Sequence, residues 1–261
     1  CLAWGGSVQL SPADDILISV ERSLDIDSEG QMIASVLSKK AAVGATHVVI
    51  DIPVGETAKV RTIEEASRLQ HYFTAVGHVI GLEIKVLITD GSQPVGRGIG
   101  PSLEAMDVLS VLRNDANAPV DLKERALLIA GALLELSGDF KTGEGILHAE
   151  KILQSGNALK KFEQICNEQG GFKEPLFAPY RQDIQAPASG KVTAIDNRRL
   201  ARLAKLAGAP QRPSAGIKFH APVGMEVTQG QVLFTLYAES PGELEYALEY
   251  YRSSNHIVTI E

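Results

Sequence analysis

Cysteine is scarce in this chain, and long apolar runs are absent. Only Cys1 and Cys166 are cysteines, and neither belongs to a CxxC or Cys/His cluster, so we expect neither a disulfide framework nor a cysteine-based metal site. The chain also lacks the roughly 18 consecutive apolar residues of a membrane helix, and it lacks a basic leader followed by a hydrophobic stretch. These absences argue against a membrane partner and favour a reducing cytoplasm.

Blocks of like charge are missing as well. The formal net charge of −7 comes from 32 acidic and 25 basic residues, which are interspersed along the chain, so we expect no nucleic-acid partner. The six histidines form neither an HxxxH nor an HExxH pair, and we therefore expect no metal site. They are His47, His71, His78, His148, His220 and His256.

The hydrophobic content is sufficient for a folded protein. With 44% hydrophobic and 22% charged residues, 261 residues can bury one large core or two modest ones. The chain opens on apolar sequence, from Cys1 to Trp4, without a helix cap or a polar lead. We interpret this opening as that of a chain entered inside a domain.

The first part of the chain alternates between helical and strand patterns. Apolar residues recur at helical spacing from Ser28 to Ala42. Residues 47–52 and 83–89 are runs typical of strands, and residues 63–80 between them return to helical spacing. A strand, a helix and a second strand in this order predict a parallel crossover unit. The expected fold class is therefore α/β, with a parallel-rich sheet and packing helices.

Further helices and a C-terminal α+β module complete the predicted fold. Pro101 suits the first turn of a helix that runs to about residue 112, and helical patterns follow at 121–137, 143–155 and 157–169. Prolines and glycines then predict a linker at 171–182. We expect three parts: residues 1–44 with a helix of a separate helical lobe, an α/β domain at 45–170, and the α+β module at 183–261.

Two further motifs are interpreted as structural. Residues 96–100 (GRGIG) follow a strand and precede a helix, where backbone amides can cradle a phosphate, but the pattern is neither GxGxxG nor a Walker loop. We expect a tight turn there. Residues 221–236 have the turn spacing of a biotinyl or lipoyl carrier half-barrel but no lysine at the hairpin tip, so we expect no carrier role.

Polar residues lie beside the apolar face of the helix that follows Ser28. Ser28, Ser35 and Lys39 fall on one side of this helix, and a hydroxyl and an ammonium four residues apart can hold one carbonyl oxygen or anion together. Residue types alone favour a structural role instead. Ser35 is then a small packing residue, Lys39 a cation at the helix C-terminus, and Asp27 a carboxylate near its start.

Five motifs in order resemble those of the nucleoside phosphorylases that include thymidine and pyrimidine-nucleoside phosphorylase. They are residues 34–40 (ASVLSKK), 50–59 (IDIPVGETAK), 87–94 (LITDGSQP), 169–171 (QGG) and 189–196 (SGKVTAID). The opening WGG at 4–6 and SPADD at 11–15 are more similar to the branch that contains AMP phosphorylases and bacterial "putative thymidine phosphorylases". The resemblance identifies the chain as a C-terminal part of such an enzyme.

This resemblance implies a reaction and a set of site residues. Asp27 matches the family's proposed proton donor, Ser35 and Lys39 match residues that contact the base, and Lys59 matches a substrate-contacting lysine. The expected enzyme is a pentosyltransferase that converts a nucleoside and inorganic phosphate into a free base and a sugar 1-phosphate. It is expected to need no metal or other cofactor, and the full-length protein is expected to be a homodimer.

Two departures from the family bear on activity and substrate. The family's Gly-rich phosphate loop precedes the position that matches Cys1, so we expect the chain by itself to lack phosphate binding and turnover. The pyrimidine enzymes also carry an arginine seven residues before the position of Asp27, where this chain has Val20, with Arg22 close by. AMP, cleaved to adenine and ribose 1,5-bisphosphate, is therefore an alternative substrate. A non-catalytic binding module is an alternative of another class.

Overall fold

The computed structural model describes residues 28–254 and 257–261, together with Pro12 and Ile16. These residues form a mixed array of helices and strands, with one parallel and two antiparallel sheets, which confirms the α/β class. No helix in this described part of the chain is long and apolar enough to cross a membrane.

The predicted parallel crossover is confirmed. After helix α1 (Glu29–Ala42), strand β1 (His47–Val54) leads through helix α2 (Ile63–Val79) to strand β2 (Glu83–Asp90). The two strands pair in parallel along their whole length, from His47 opposite Glu83 to Val54 opposite Asp90. Both strands therefore end at the same edge of the sheet, which is where ligands bind in open α/β sheets.

Helix α1 packs on this unit through the face that its apolar spacing predicts. The hydroxyl of Ser28 caps the helix by accepting a hydrogen bond from the amide of Gln31 at 3.4 Å. Ile33 and Leu37 are buried in one apolar cluster with Leu69 and Phe73 of α2. Packing therefore fixes which side of α1 faces the crossover unit.

Four helices lie between the crossover unit and the C-terminal module in the order of the chain. They are α3 (Pro101–Leu112), α4 (Val120–Leu136), α5 (Glu144–Gln154) and α6 (Asn157–Glu168). Pro101 occupies the first turn of α3 as predicted, because the proline nitrogen lies where a helix has no partner for an amide hydrogen.

The C-terminal module is an α+β unit with its own core. Its elements, with the short strand β3 (Gly98–Ile99) that precedes it in sequence, are β4 (Tyr180–Gln185), β5 (Gly190–Ile195), α7 (Asn197–Leu206), β6 (Gly216–Phe219), β7 (Glu226–Val227), β8 (Val232–Ala238), α8 (Pro241–Ser253) and β9 (Val258–Ile260). Two antiparallel sheets result, in the orders β3-β6-β8-β4 and β7-β5-β9. Val192, Leu200, Leu203, Ile217 and Leu236 are completely buried between them and the helices.

Two strands differ from the sequence prediction. Residues 180–182, predicted as linker, begin strand β4, which pairs with β8 from Tyr180 opposite Ala238. Gly98 and Ile99, predicted as part of a loop, pair with Lys218 and Ile217 of β6. The second pairing places a strand from the first part of the chain in the sheet of the C-terminal module. The domain boundaries at 44, 170 and 183 stay a prediction.

Candidate functional site

A cavity of about 510 Å³ opens at the edge of the sheet where β1 and β2 end. Its apolar wall includes Met32 and Val36 of α1 and Phe73 of α2. Its polar residues come from strands β1 and β2, from the loop segments at 58–60 and 91–95, from helix α4 and from the start of α7. A largely apolar cavity with a few convergent polar groups is the usual form of a small-molecule site.

Lys59 lies at this cavity. It stands on the loop after β1, lines the cavity and has an exposed side chain. The amide of Gly55 donates to the carbonyl of Val60 at 3.2 Å, which closes this loop on itself. The amide of Gly91, after β2, donates to the carbonyl of Val54 at 2.8 Å and holds the two chain segments together. This loop, residues 55–62 and called the Lys59 loop below, is therefore fixed at the edge of the sheet.

Ser35 and Lys39 are brought together by the helix. The ammonium of Lys39 donates to the hydroxyl of Ser35 at 3.3 Å, and both residues are partly buried. The residues of α1 that line the cavity are Met32 and Val36, and Ser35 precedes Val36 by one position, about 100° around the helix. The structure thus pairs Ser35 with Lys39 on a face adjacent to the one that lines the cavity.

An ion pair also orients α1. The guanidinium of Arg68 on α2 donates through Nε to the Glu29 carboxylate at 3.0 Å. Hydrogen bonding to Arg68 lowers the pKa of Glu29 below its ordinary value. Arg68 and Glu29 therefore tie the start of α1 to α2, outside the apolar contact.

Asp27, Val20 and Arg22 lie outside the described residues. The predicted proton-donor role of Asp27 is therefore not tested by the structure. Its position next to the helix cap Ser28 follows from the sequence alone.

A charged group at the cavity was missed by sequence reasoning. Arg125 of α4 donates to the Asp51 carboxylate at 2.9 Å and to the carbonyl of Asp90 at 2.8 Å, while the hydroxyl of Thr89 donates to Asp51 at 2.6 Å. The side chains of Arg125 and Asp51 are 16% and 22% exposed. This network joins β1 and the end of β2 to α4, and its two main partners, Asp51 and Arg125, are 74 residues apart in sequence.

The Gly-rich loop at 96–100 binds carboxylates of the protein itself. One oxygen of Asp107 accepts the amides of Arg97 and Gly98 at 2.5 and 2.6 Å. The amide of Gly100 donates to Glu104 at 2.9 Å. These contacts support the interpretation of the loop as a structural turn, because the amides that would hold a phosphate already have anionic partners.

Comparison with known proteins identifies a matching family and several similar proteins. Residues 191–258 match the family described as "Pyrimidine nucleoside phosphorylase C-terminal domain". Over all 261 residues the chain is 57% identical to the "Putative thymidine phosphorylase" of Parvibaculum lavamentivorans and 55% identical to that of Hahella chejuensis, and it covers 52% of each. It is 59% identical over 247 residues to "Putative thymidine phosphorylase 1" of Acidovorax sp., which is 95% of this chain and 48% of the relative.

The chain therefore spans about half the length of these curated relatives. The similarity extends over the helix of Ser35 and Lys39, the Lys59 loop and the C-terminal module. The predicted resemblance to the thymidine and pyrimidine-nucleoside phosphorylase family is confirmed, by the match of residues 191–258 to its C-terminal domain and by the relatives that match along the whole chain.

Proposed function

We propose that the full-length protein catalyses the phosphorolysis of a nucleoside, and that this chain forms the base side of its active site. The observation that carries the proposal is the cavity at the sheet edge. It lies between the Lys59 loop and helix α1, which bears the Ser35 and Lys39 pair. The relatives named "Putative thymidine phosphorylase" support the same reaction class.

The proposed step breaks one bond and forms another at the anomeric carbon of the sugar. A phosphate oxygen attacks this carbon, the glycosidic C–N bond breaks, and its electron pair leaves with the base. Asp27 gives a proton to the departing base, while Ser35 and Lys39 hold the polar edge of the base. The products are the free base and the sugar 1-phosphate, and the proton of the attacking hydrogen phosphate returns to Asp27, so atoms and charge balance.

The proton-donor role places a condition on Asp27. A carboxylate beside a helix N-terminus is held ionised by the helix dipole. Asp27 can therefore donate a proton only when closure of the cleft removes water from it and favours the neutral form. Closure between the lobes also excludes water from the reaction.

The reaction is tested by product analysis with the protein expressed from its full reading frame. Thymidine, uridine and AMP are each supplied with phosphate, and free base and sugar phosphate are measured. Release of thymine or uracil supports a pyrimidine substrate, whereas release of adenine assigns the AMP reaction. If none of the three is cleaved, the proposed function is wrong.

Lys39 and its neighbour provide a matched test of the base side. A hydrogen bond to a charged group contributes roughly 1.5–3 kcal/mol, so Lys39→Met is expected to lower kcat/KM about 10- to 100-fold. Lys40→Met removes an equal charge from the next, exposed position of the same helix end and is expected to leave kcat/KM nearly unchanged. Equal losses in both variants would contradict a specific contact by Lys39.

Asp27→Asn is the matched test of the proton donor. It keeps the shape of the side chain but supplies no acidic proton, so kcat should fall much more than KM changes. Unchanged kcat would remove Asp27 from this role.

By resemblance to the family, we also propose that the full-length enzyme is a cytoplasmic homodimer. Analytical ultracentrifugation of the full-length protein tests the oligomeric state.

The binding-module alternative makes a different prediction. A non-catalytic module would bind a base without any cleavage of nucleosides by the full-length protein. Calorimetry with thymine, adenine and inorganic phosphate, together with the turnover assays, separates the two. Base binding accompanied by turnover supports the enzyme.

A further inference from the structure

The Lys59 loop is attached to the C-terminal module through Thr57. The hydroxyl of Thr57 donates to the carbonyl of Ile195 at 3.3 Å and accepts the backbone amide of Asn197 at 3.1 Å. Both partners lie beside the start of α7, 138 and 140 residues further along the chain. Thr57 stands two residues before Lys59, so the contact fixes the backbone from which Lys59 extends.

Asn197 connects a second loop to the same point. Its side-chain amide donates to the carbonyl of Gly91 at 2.9 Å, and Gly91 follows β2 as the Lys59 loop follows β1. The loops touch here, because a Cβ added to Gly55 would lie only 2.5 Å from the Gly91 oxygen. Asn197 therefore bonds to both loops, and it lines the cavity as well.

The other polar atom of the Asn197 side chain has no such partner. Its Oδ1 is buried without a hydrogen bond to any described residue. A buried acceptor without a partner is unfavourable for stability. The side chain of Asn197 therefore holds the Gly91 carbonyl while its own carbonyl oxygen has no partner among the described residues.

A third contact strengthens the attachment. The guanidinium of Arg198 donates to the carbonyl of Ala58 at 3.3 Å, directly beside Lys59. On the other loop, the side-chain oxygen of Gln93 accepts the backbone amide of Val223 at 2.7 Å. Both loops at the edge of the parallel sheet are therefore bound by hydrogen bonds to the C-terminal module.

We propose that Thr57 and Asn197 are positioning residues that set the place of Lys59 in the cavity, so that the C-terminal module takes part in substrate binding without contacting the substrate. This inference rests on the proposed function and on the substrate contact that the family resemblance implies for Lys59. Lysine has a flexible four-carbon stem, so the loop backbone determines where its ammonium can reach. A displacement of about 1 Å can cost 100-fold in rate.

The test compares threonine variants in the protein expressed from its full reading frame. Thr57→Val removes the hydroxyl and keeps the branched shape, and it is expected to raise KM for the nucleoside about tenfold. Thr57→Ser keeps the hydroxyl and should restore KM to within about twofold of the natural protein. The matched control is Thr74→Val, which removes a hydroxyl bonded to the Gln70 carbonyl on the exposed side of α2 and should leave KM unchanged.

A double variant separates positioning from a general structural effect. If Thr57 acts through Lys59, then Thr57→Val should raise KM little further once Lys59→Ala is present. Asn197→Ala should show the same dependence on Lys59. Fully additive effects of Thr57→Val and Lys59→Ala, or failure of Thr57→Ser to restore KM, would overturn the proposal.

Failure of the proposed function would be seen as no cleavage of thymidine, uridine or AMP by the natural protein, and failure of the Lys59 role gives a different pattern. If Lys59→Ala leaves KM and kcat unchanged, Lys59 has no substrate contact, and both its proposed role and the positioning role are wrong. If Lys59→Ala impairs the enzyme but Thr57→Val acts independently, only the positioning role is wrong.

Discussion

The ion pair between Arg125 and Asp51 gives the sharpest prediction for stability. Arg125→Met keeps much of the apolar stem but removes the bonds to the Asp51 carboxylate and to the Asp90 carbonyl, at 2.9 and 2.8 Å. With side chains only 16% and 22% exposed, the pair falls between exposed pairs at roughly 0–1 kcal/mol and buried pairs whose disruption costs roughly 3–5 kcal/mol. We expect a loss of about 2–3 kcal/mol.

The assay is urea unfolding of the chain, monitored by far-ultraviolet circular dichroism. The midpoint for Arg125→Met should fall by roughly 1 M. Arg113→Met is the matched control, because Arg113 also makes two hydrogen bonds, in this case both to Glu174. The side chains of Arg113 and Glu174 are much more exposed, at 39% and 54%. The midpoint of Arg113→Met should hardly move. An Arg125→Met shift no larger than that of Arg113→Met would refute the reasoning.

Two further predictions concern a backbone contact and a histidine. Gly55→Ala places a methyl group about 2.5 Å from the Gly91 oxygen and should destabilise the chain by about 1–3 kcal/mol in thermal unfolding, whereas Gly242→Ala, with no atom within 4 Å of the added carbon, should be near neutral; equal effects would contradict the close approach. Burial, helped by Lys218, lowers the pKa of His220, so the unfolded chain binds the proton more tightly and stability should decrease as pH falls below about 6.5 towards the folded-state pKa. Nuclear magnetic resonance titration of His220 should show the lowered pKa, and a value at or above the ordinary one would contradict it.

Local signals made the first part of the fold predictable. Ser28 as a helix cap, the apolar spacing of α1 and the strand, helix and strand order all depend on residues close in sequence. The resulting elements begin and end within about two residues of their predicted limits. The pairing of Lys39 with Ser35 follows from helical spacing in the same way.

Contacts between distant residues were not predictable from these signals. Gly98 and Ile99 form a strand only because Ile217 and Lys218 lie opposite them, and two residues carry no periodic pattern. Strand β4 (YRQDIQ) is mostly polar and exposed, so its sequence resembles a linker. Neither the Arg125 and Asp51 pair nor the attachment of Thr57 to Ile195 has any signal in a single sequence, because each depends on how separate elements pack.

The hydrogen bonds between the Gly-rich loop and the Asp107 carboxylate of helix α3 affect whether free phosphate can bind to this loop. Because Asp107 is covalently part of the chain, it reaches the amides of Arg97 and Gly98 at an effective concentration far above that of a free anion. Dissolved phosphate would have to displace this tethered competitor. The loop is therefore an anion site that the chain occupies with its own carboxylate.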